Sequence, residues 1–284
     1  MSAKETLKQS FELGFEVFRT YSQERAVRHN RYRHYSQLDR IEMIANNGYI
    51  YLSDGRKWND TNDRERFNPA DLQGHRYGIC FSWSPSENIA MWMLYGGMDN
   101  KGAALELSRS SFLKLGEASS VELGRFVDGK GFVSEKTLDK SSFSFEYYDV
   151  IYSDEVTNDR TVKLRHADDA PSIPGDIYSH ITEQNSPMLK PYLKKYPWHY
   201  EEETRFVVSV HDGVSCIDFP FARVPLAMSS DILRKGIILS PTFVGDRKDY
   251  PNSALFGEVD WDLCKGCKKR QSIDASNPAS SATH

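Results

Sequence analysis

The stretch Trp198-His-Tyr-Glu-Glu-Glu-Thr-Arg205, running into Phe206-Val-Val-Ser-Val210, decides how this chain is read. Phe206 to Val210 is β-branched and aromatic, the composition of a strand. Glu201, Glu203 and Arg205 alternate ahead of it with period two, so the spacing predicts that the three share one face. An acidic pair with an arginine beside it, at the mouth of a strand, holds a carboxylate in a fixed pose. Trp198 and Tyr200 flank the pair and point to a cleft, although the same residues also suit a solvated strand entrance with a structural ion pair.

Just upstream, Lys190, Lys194 and Lys195 interleave with Tyr192, Tyr196 and Trp198. Cations for phosphates and ring faces for bases are what single-stranded nucleic acid requires. Snorkelling lysines over anchoring aromatics are the plainer reading of the same pattern.

Toward the N-terminus, Tyr32–Tyr35 is expected as a short strand carrying His34, and Leu38 to about Asn46 as a helix stopped by Asn47-Gly48. Tyr49–Leu52 has strand composition. Ser53 to about Gln73, with Trp58-Asn59-Asp60 inside it, is polar and rich in turn signals, hence a long loop. Tyr77–Ser82 is a predicted strand leading into Ser84-Pro-Ser-Glu87, a helix start with serine cap, proline at the first position and glutamate at the third. That helix is expected to end at Leu94 or Tyr95. Trp92 and Tyr95 lie one turn apart on it, with Ile89, Trp92 and Met93 sufficient as a packing face. Gly102–Leu107 and Gly236–Leu239 are further strands, and Ser144–Tyr152 is expected as one long aromatic strand. Residues 109–142 are poorly patterned, and 154–187 are expected as loop or weak helix. Leu7, Phe11, Phe15 and Phe18 recur at helical spacing. Many short strands with few short helices, and no regular βαβ spacing, predict an α+β fold with an antiparallel or mixed sheet.

The chain has 284 residues, 36 basic and 40 acidic, for a net charge of −4. This excludes a globally basic nucleic-acid coat but leaves room for a local basic groove. No apolar run reaches the roughly 18 residues of a membrane span. The opening Met1-Ser-Ala-Lys-Glu lacks the apolar core of a secretory signal. Four cysteines in this length are no disulfide scaffold, so a cytoplasmic location is expected. Cys264-Lys-Gly-Cys267 is half a zinc knuckle, and no metal is expected. Glycine-rich dinucleotide and P-loop motifs and the HExxH pattern are absent.

Taken in order, several pieces resemble a widespread bacterial family of uncharacterised proteins. They are His34-Tyr35, Gly48-Tyr-Ile-Tyr-Leu-Ser53 with Asn59-Asp60, Cys80-Phe-Ser82 with Met91-Trp-Met-Leu-Tyr95, the Trp198–Arg205 stretch and Lys235-Gly-Ile-Ile-Leu-Ser240. The likeness covers about residues 30–240. That family in turn resembles the ADP-ribosyltransferase fold of the His-Tyr-Glu group, which includes diphtheria toxin and the poly-ADP-ribose polymerases. The resemblance implies split mixed or antiparallel sheets with short flanking helices, NAD as ADP-ribose donor, and Glu203 or Glu201 as the catalytic carboxylate, with Glu203 preferred. It implies donor contacts from His34, Tyr35, Ser36, Tyr51, Asn59, Asp60, Ser82, Trp92, Tyr95 and Arg205. Cys80 departs from the pattern, standing where the group has a stacking tyrosine, so stacking falls to Trp92, Tyr95 or Tyr51. The segment before the glutamate, with Lys190, Lys194, Lys195, Tyr196 and Trp198, is expected to bind the acceptor, read as RNA ahead of DNA or protein. A toxin or phage-defence effector, with a possible antitoxin or regulatory protein as partner, is the biological expectation. A non-catalytic nucleotide- or nucleic-acid-binding module on the same fold is the alternative, as is an NAD glycohydrolase. The expected organisation is an N-terminal helix over 1–29 packing on the domain, an ADP-ribosyltransferase-like domain over 30–263 and a disordered tail over 264–284.

Overall fold

The computed structural model describes residues 19–58, 75–84, 89–95, 101–153, 161–165, 172–174, 192–211, 219–246 and 250. Leu7 to Phe18, expected as helical, Asn59-Asp60, the expected helix start at Pro85-Ser-Glu87, Lys190 and Cys264/Cys267 lie outside them.

In chain order the elements are helix α1 (residues 19–26), β1 (Arg31–Gln37), α2 (Leu38–Asn47), β2 (Tyr49–Asp54), β3 (His75–Ser82), α3 (Ile89–Tyr95), β4 (Gly102–Ser108) and α4 (Arg109–Leu113). Then follow β5 (Ser120–Val127), β6 (Gly131–Asp139), β7 (Phe143–Asp149), β8 (Ile151–Ser153), β9 (Thr161–Arg165), β10 (Ser172–Pro174) and β11 (Leu193–Lys195). A 3₁₀ turn (Tyr196–Glu201), β12 (Glu203–Val210), β13 (Phe221–Pro225), α5 (Ser230–Lys235) and β14 (Ile237–Leu239) complete the described chain. The fold is α+β, with a large antiparallel sheet and short helices.

The strand β3 is the junction of that sheet. On one edge β12 pairs with it along its whole length, from Val210↔His75 to Glu203↔Ser82, and β7 pairs β12 beyond. On the other edge β2 takes Tyr77 and Gly78 while β1 takes Ser82. The sheet therefore forks at β3: β1, β4 and β14 form one arm, and β2, β13, β5 and β6 the other.

Alternation along the strands separates two faces. One is apolar: Ile50, Leu52, Tyr77, Ile79, Phe81, Phe206, Val208, Val121, Leu123, Ala222 and Val224 join one core cluster. Helix α2 adds Ile41 and Ile44, which recur at helical spacing, and Gly48 ends it in the left-handed conformation (φ 69°) with its N–H donating to the Ile44 carbonyl. The opposite face carries Arg33, Cys80, Glu203, Arg205, Tyr148 and Arg223 and holds the polar chemistry.

Three segments differ from their sequence reading. The expected single strand Ser144–Tyr152 is broken at Val150, whose N–H donates to the Glu203 carbonyl at 2.8 Å. Beyond the break, β8 joins a second, four-stranded sheet in which it pairs β11 in parallel. The poorly patterned 109–142 contains helix α4 and the β5–β6 hairpin, turned through Asp128-Gly129-Lys130 with Gly129 and Gly131 both at φ 72°. That Asp-Gly is the strongest short hairpin signal a sequence carries. Residues 154–187 contain the strands β9 and β10.

Candidate functional site

The strand β12 opens where the backbone changes hand. Glu202 has φ 42°, a left-handed conformation that L-residues with a Cβ rarely adopt. Its N–H donates to the His199 carbonyl, and its own carbonyl accepts from Trp83 N–H, so both sides of the kink are pinned. Glu201 closes the 3₁₀ turn and is not a strand residue. It therefore reaches the site through this kink, whereas Glu203 and Arg205 share a strand face as predicted.

Four charged side chains converge there, all buried. The Lys194 ammonium, on β11, lies 2.6 Å from Glu201 Oε2 and 2.7 Å from Glu203 Oε2. Arg205 donates from Nε to Glu203 Oε1 at 2.6 Å and from Nη2 to Oε2 at 3.2 Å, a two-pronged grip on the carboxylate. The Tyr95 hydroxyl donates to Glu201 Oε1 at 2.7 Å. The Tyr152 hydroxyl accepts from the Glu203 N–H at 3.2 Å. Two carboxylates and two cations cancel, as a group this deeply buried requires.

The two glutamates are displaced in opposite directions. Burial alone would raise Glu203, but the Arg205 and Lys194 charges and hydrogen bonds from Arg205 and the Cys80 thiol reverse it and hold the carboxyl well below its ordinary range. Burial raises Glu201, the Glu203 charge adds to this, and Lys194 and Tyr95 only partly offset it. One carboxylate is thereby fixed ionised and the other is made easier to protonate, the separation by which paired carboxyls divide base and acid roles. Burial and the adjoining Glu203 and Arg205 charges, the latter opposing, leave the Cys80 thiol raised.

His34 stands at the fork of the sheet. Its Nδ1 lies 3.0 Å from the Cys80 carbonyl, in the interval of β3 that neither β1 nor β2 pairs. A carbonyl can only accept, so Nδ1 carries the proton and Nε2 is left as an acceptor. Burial lowers the imidazole's pKa, with the Cys80 hydrogen bond opposing, which favours the neutral ring. By alternation Arg33 and Tyr35, not His34, share the face of Glu203. His34 and Glu203 are linked through one residue, Cys80, by its carbonyl and its thiol.

The other expected site residues divide. Ser82 is buried directly across from Glu203, and its Oγ accepts from the Ser84 N–H at 3.4 Å. Tyr35 and Trp92 meet edge to face at 4.7 Å in a small cluster with Met91, Ala104 and Ile238, against which Tyr200 packs. Ser36 follows on β1, half-buried. Tyr51 is turned toward the hairpin, packing on Phe126 and Phe132 at 5.2 and 5.5 Å and accepting from Asn47 Nδ2, away from the charged cluster. Lys194, expected to contact an acceptor, is inside the carboxylate cluster instead, because its ammonium is the nearest counter-charge for Glu201. Lys195 lies in β11 and Tyr196 opens the turn after it, and Trp198 is 41% exposed.

Trp58 reads in sequence as part of a turn, yet its ring lies 5.0 Å from the Arg205 guanidinium and its Nε1 donates to Ser53 Oγ at 2.8 Å. Tyr152 and Tyr148 are likewise site residues that nothing in their aromatic run distinguishes. No cluster of three or more metal-ligating side chains occurs among the described residues, and none of their helices is long and apolar enough to cross a membrane. Comparison of the chain with protein-family models, with curated proteins and with solved structures finds no match in any of the three.

Proposed function

We propose that this protein is an NAD-dependent ADP-ribosyltransferase acting in the cytoplasm, with Glu203 as the carboxylate that stabilises the reacting ribose. The observation that carries the reading is the pair Glu201 and Glu203, held at the mouth of a central strand and displaced in opposite directions. As the bond from ribose to nicotinamide breaks, its electron pair leaves with the nicotinamide and positive charge develops on the ribose. A carboxylate already ionised and already oriented lowers that barrier without reorganising. Glu201, more readily protonated, takes the proton of the attacking acceptor. Trp58 and Tyr95 offer ring faces to the cationic nicotinamide, an attraction of about 0.5–2 kcal/mol. Neutral His34, on the other face of the sheet, acts through Cys80, whose carbonyl it holds and whose thiol meets Glu203. The acceptor is RNA ahead of DNA or protein, met at the exposed Trp198 and the lysine-rich segment before it. The biological setting is that of a toxin or phage-defence effector, with a regulatory partner.

The second reading is a non-catalytic nucleotide-binding module. It is favoured by the complete neutralisation of both glutamates by Lys194 and Arg205, the arrangement of a structural ion cluster. NAD labelled on the adenylate phosphate, incubated with RNA, single-stranded DNA or cell protein beside a Glu203→Gln control, separates the readings. Label moving to one pool, and not in the control, supports the transferase. Free ADP-ribose without transfer indicates a glycohydrolase. Intact NAD throughout leaves the binding module.

A further inference from the structure

We propose that the Lys194 ammonium occupies the seat of a cationic ligand, so that the site is closed by one of its own side chains and opens to ligands that bring positive charge. The proposal rests on the preceding reading only in taking Glu201 and Glu203 as the ligand-binding carboxylates.

The geometry is that of a substitute for a bound cation. Lys194 bridges Oε2 of both glutamates at 2.6 and 2.7 Å, whereas Arg205 touches Glu203 from its own strand, two residues away. Arg205 is thus part of the wall and Lys194 is the inserted group. The two arrive on different sheets: Arg205 is in the interior of β12, while Lys194 is on β11, three residues long and hydrogen-bonded to β8 in the smaller sheet. Moving Lys194 leaves the ladder of β12 intact. The Tyr95 hydroxyl remains on Glu201, and the Trp58 ring remains beside Arg205.

Removing the ammonium strands two buried carboxylates against one guanidinium, a state that is strongly disfavoured. A neutral ligand does nothing to relieve it, while a planar aromatic cation supplies the missing charge and presents a face to the rings. The plug therefore selects by charge: the pyridinium of an oxidised nicotinamide is accepted, and the uncharged dihydropyridine of the reduced form is refused. A ligand shifts such an equilibrium only by its differential affinity for the open state, which is why charge decides.

The test uses 1-methylnicotinamide, a permanent cation, and neutral nicotinamide as probes of the full chain, measured by titration calorimetry. Lys194→Met is expected to bind the cation about tenfold or more tightly than wild type, Lys194→Arg to match wild type, and neutral nicotinamide to gain nothing. In the wild-type protein, acetylation of Lys194 by acetic anhydride, read by mass spectrometry, is expected to rise when the cation is added. Equal or weaker binding by Lys194→Met, or no binding by either protein, overturns the proposal. If Lys194→Met does not fold, the labelling of wild type decides: Lys194 staying protected at saturating probe overturns it. A plug confirmed in a protein that never cleaves NAD removes the transferase reading and leaves the site. NAD cleavage that is indifferent to Lys194→Met does the reverse.

Discussion

The imidazole of His29 lies flat on the indole of Trp83, ring centroids 4.4 Å apart and planes within 2°, while its Nε2 meets Asp149 Oδ2 at 2.6 Å. Asp149 also receives the Thr204 hydroxyl at 2.5 Å and sits 3.4 Å from Arg25 Nε, and its carbonyl accepts from Ser22 Oγ. Helix α1 is in this way fastened beside the first residues of β12. Asp149→Ala leaves His29, Arg25 and Thr204 facing a void, and is expected to cost about 3–5 kcal/mol in urea unfolding. His29→Phe keeps the stack but loses the hydrogen bond, with an expected cost of about 1–3 kcal/mol. Unchanged midpoints for both would show that the fastening carries no stability.

Glu203→Gln and Glu201→Gln are expected to differ in size and in pH dependence. Glu203 is depressed in the folded state, so its contribution is present above its ordinary value near 4.3 and is lost as pH falls through the folded value. At pH 7 its replacement is expected to cost about 3–5 kcal/mol, because Lys194 and Arg205 lose a shared partner. Glu201 is raised, so its ionisation opposes folding increasingly as pH climbs past its ordinary value. Relative to wild type, Glu201→Gln should therefore improve with rising pH while Glu203→Gln worsens. Denaturation midpoints across pH 3 to 7 check the two slopes, and parallel slopes would mean that the protonation preferences are misassigned.

His34 titrates below its ordinary value because burial disfavours its charged form. The unfolded chain then binds a proton that the folded one refuses, so wild type loses stability as pH falls below about 6.5. His34→Asn has no such proton to take up, and its stability is expected to be flatter between about pH 6.5 and 5. Nuclear magnetic resonance of the imidazole gives the same quantity directly, and an ordinary His34 titration would contradict the account.

Two glycines of the hairpin separate steric from conformational cost. A Cβ on Gly124, at the β5–β6 irregularity, would lie 2.0 Å from the Val133 carbonyl oxygen, so Gly124→Ala must push backbone apart. Gly129, at φ 72°, has open space around it, and Gly129→Ala meets only the left-handed penalty. The first is expected to cost about 1–3 kcal/mol or more, the second about 1–2 kcal/mol. Thermal unfolding of the two variants gives the order, and a harmless Gly124→Ala would mean that the strands are spaced differently.

Tyr49–Leu52, in a strand of alternating burial that runs on to Asp54 where a loop is expected, and helix α2 with its Gly48 stop are legible because local pattern and tertiary role agree. The run from Ser144 to Tyr152 is not, since composition continues across Val150 while the backbone turns to bond Glu203. Phe221–Pro225 and Ser230–Lys235 are too short for periodicity to stand out. In the candidate site, Glu203 and Arg205 follow from period two. Glu201 does not, because a positive φ at a glutamate has no sequence signal. Lys194 shows as a cation in the sequence, but which anion it meets depends on a parallel pairing with β8 over some forty residues of chain. Trp58 is adjacent to Arg205 only because β2 and β12 border the same junction strand, a relation visible in topology alone.

Lys194, Glu201, Glu203 and Arg205 all fall within residues 194–205, and Lys194 and Glu201 are separated by only seven positions. The most heavily charged part of the interior is therefore also among the most local in contact order. Its ion pairs close short loops, whose entropy is small, and the long-range step they require is the seating of Lys194 by the β8–β11 pairing. Lys194, Lys195 and Arg205 stand against Glu201, Glu202 and Glu203 within this one stretch, so its charges balance locally. The segment is buried as an electrically neutral unit, with no charge from a remote part of the chain needed to balance it.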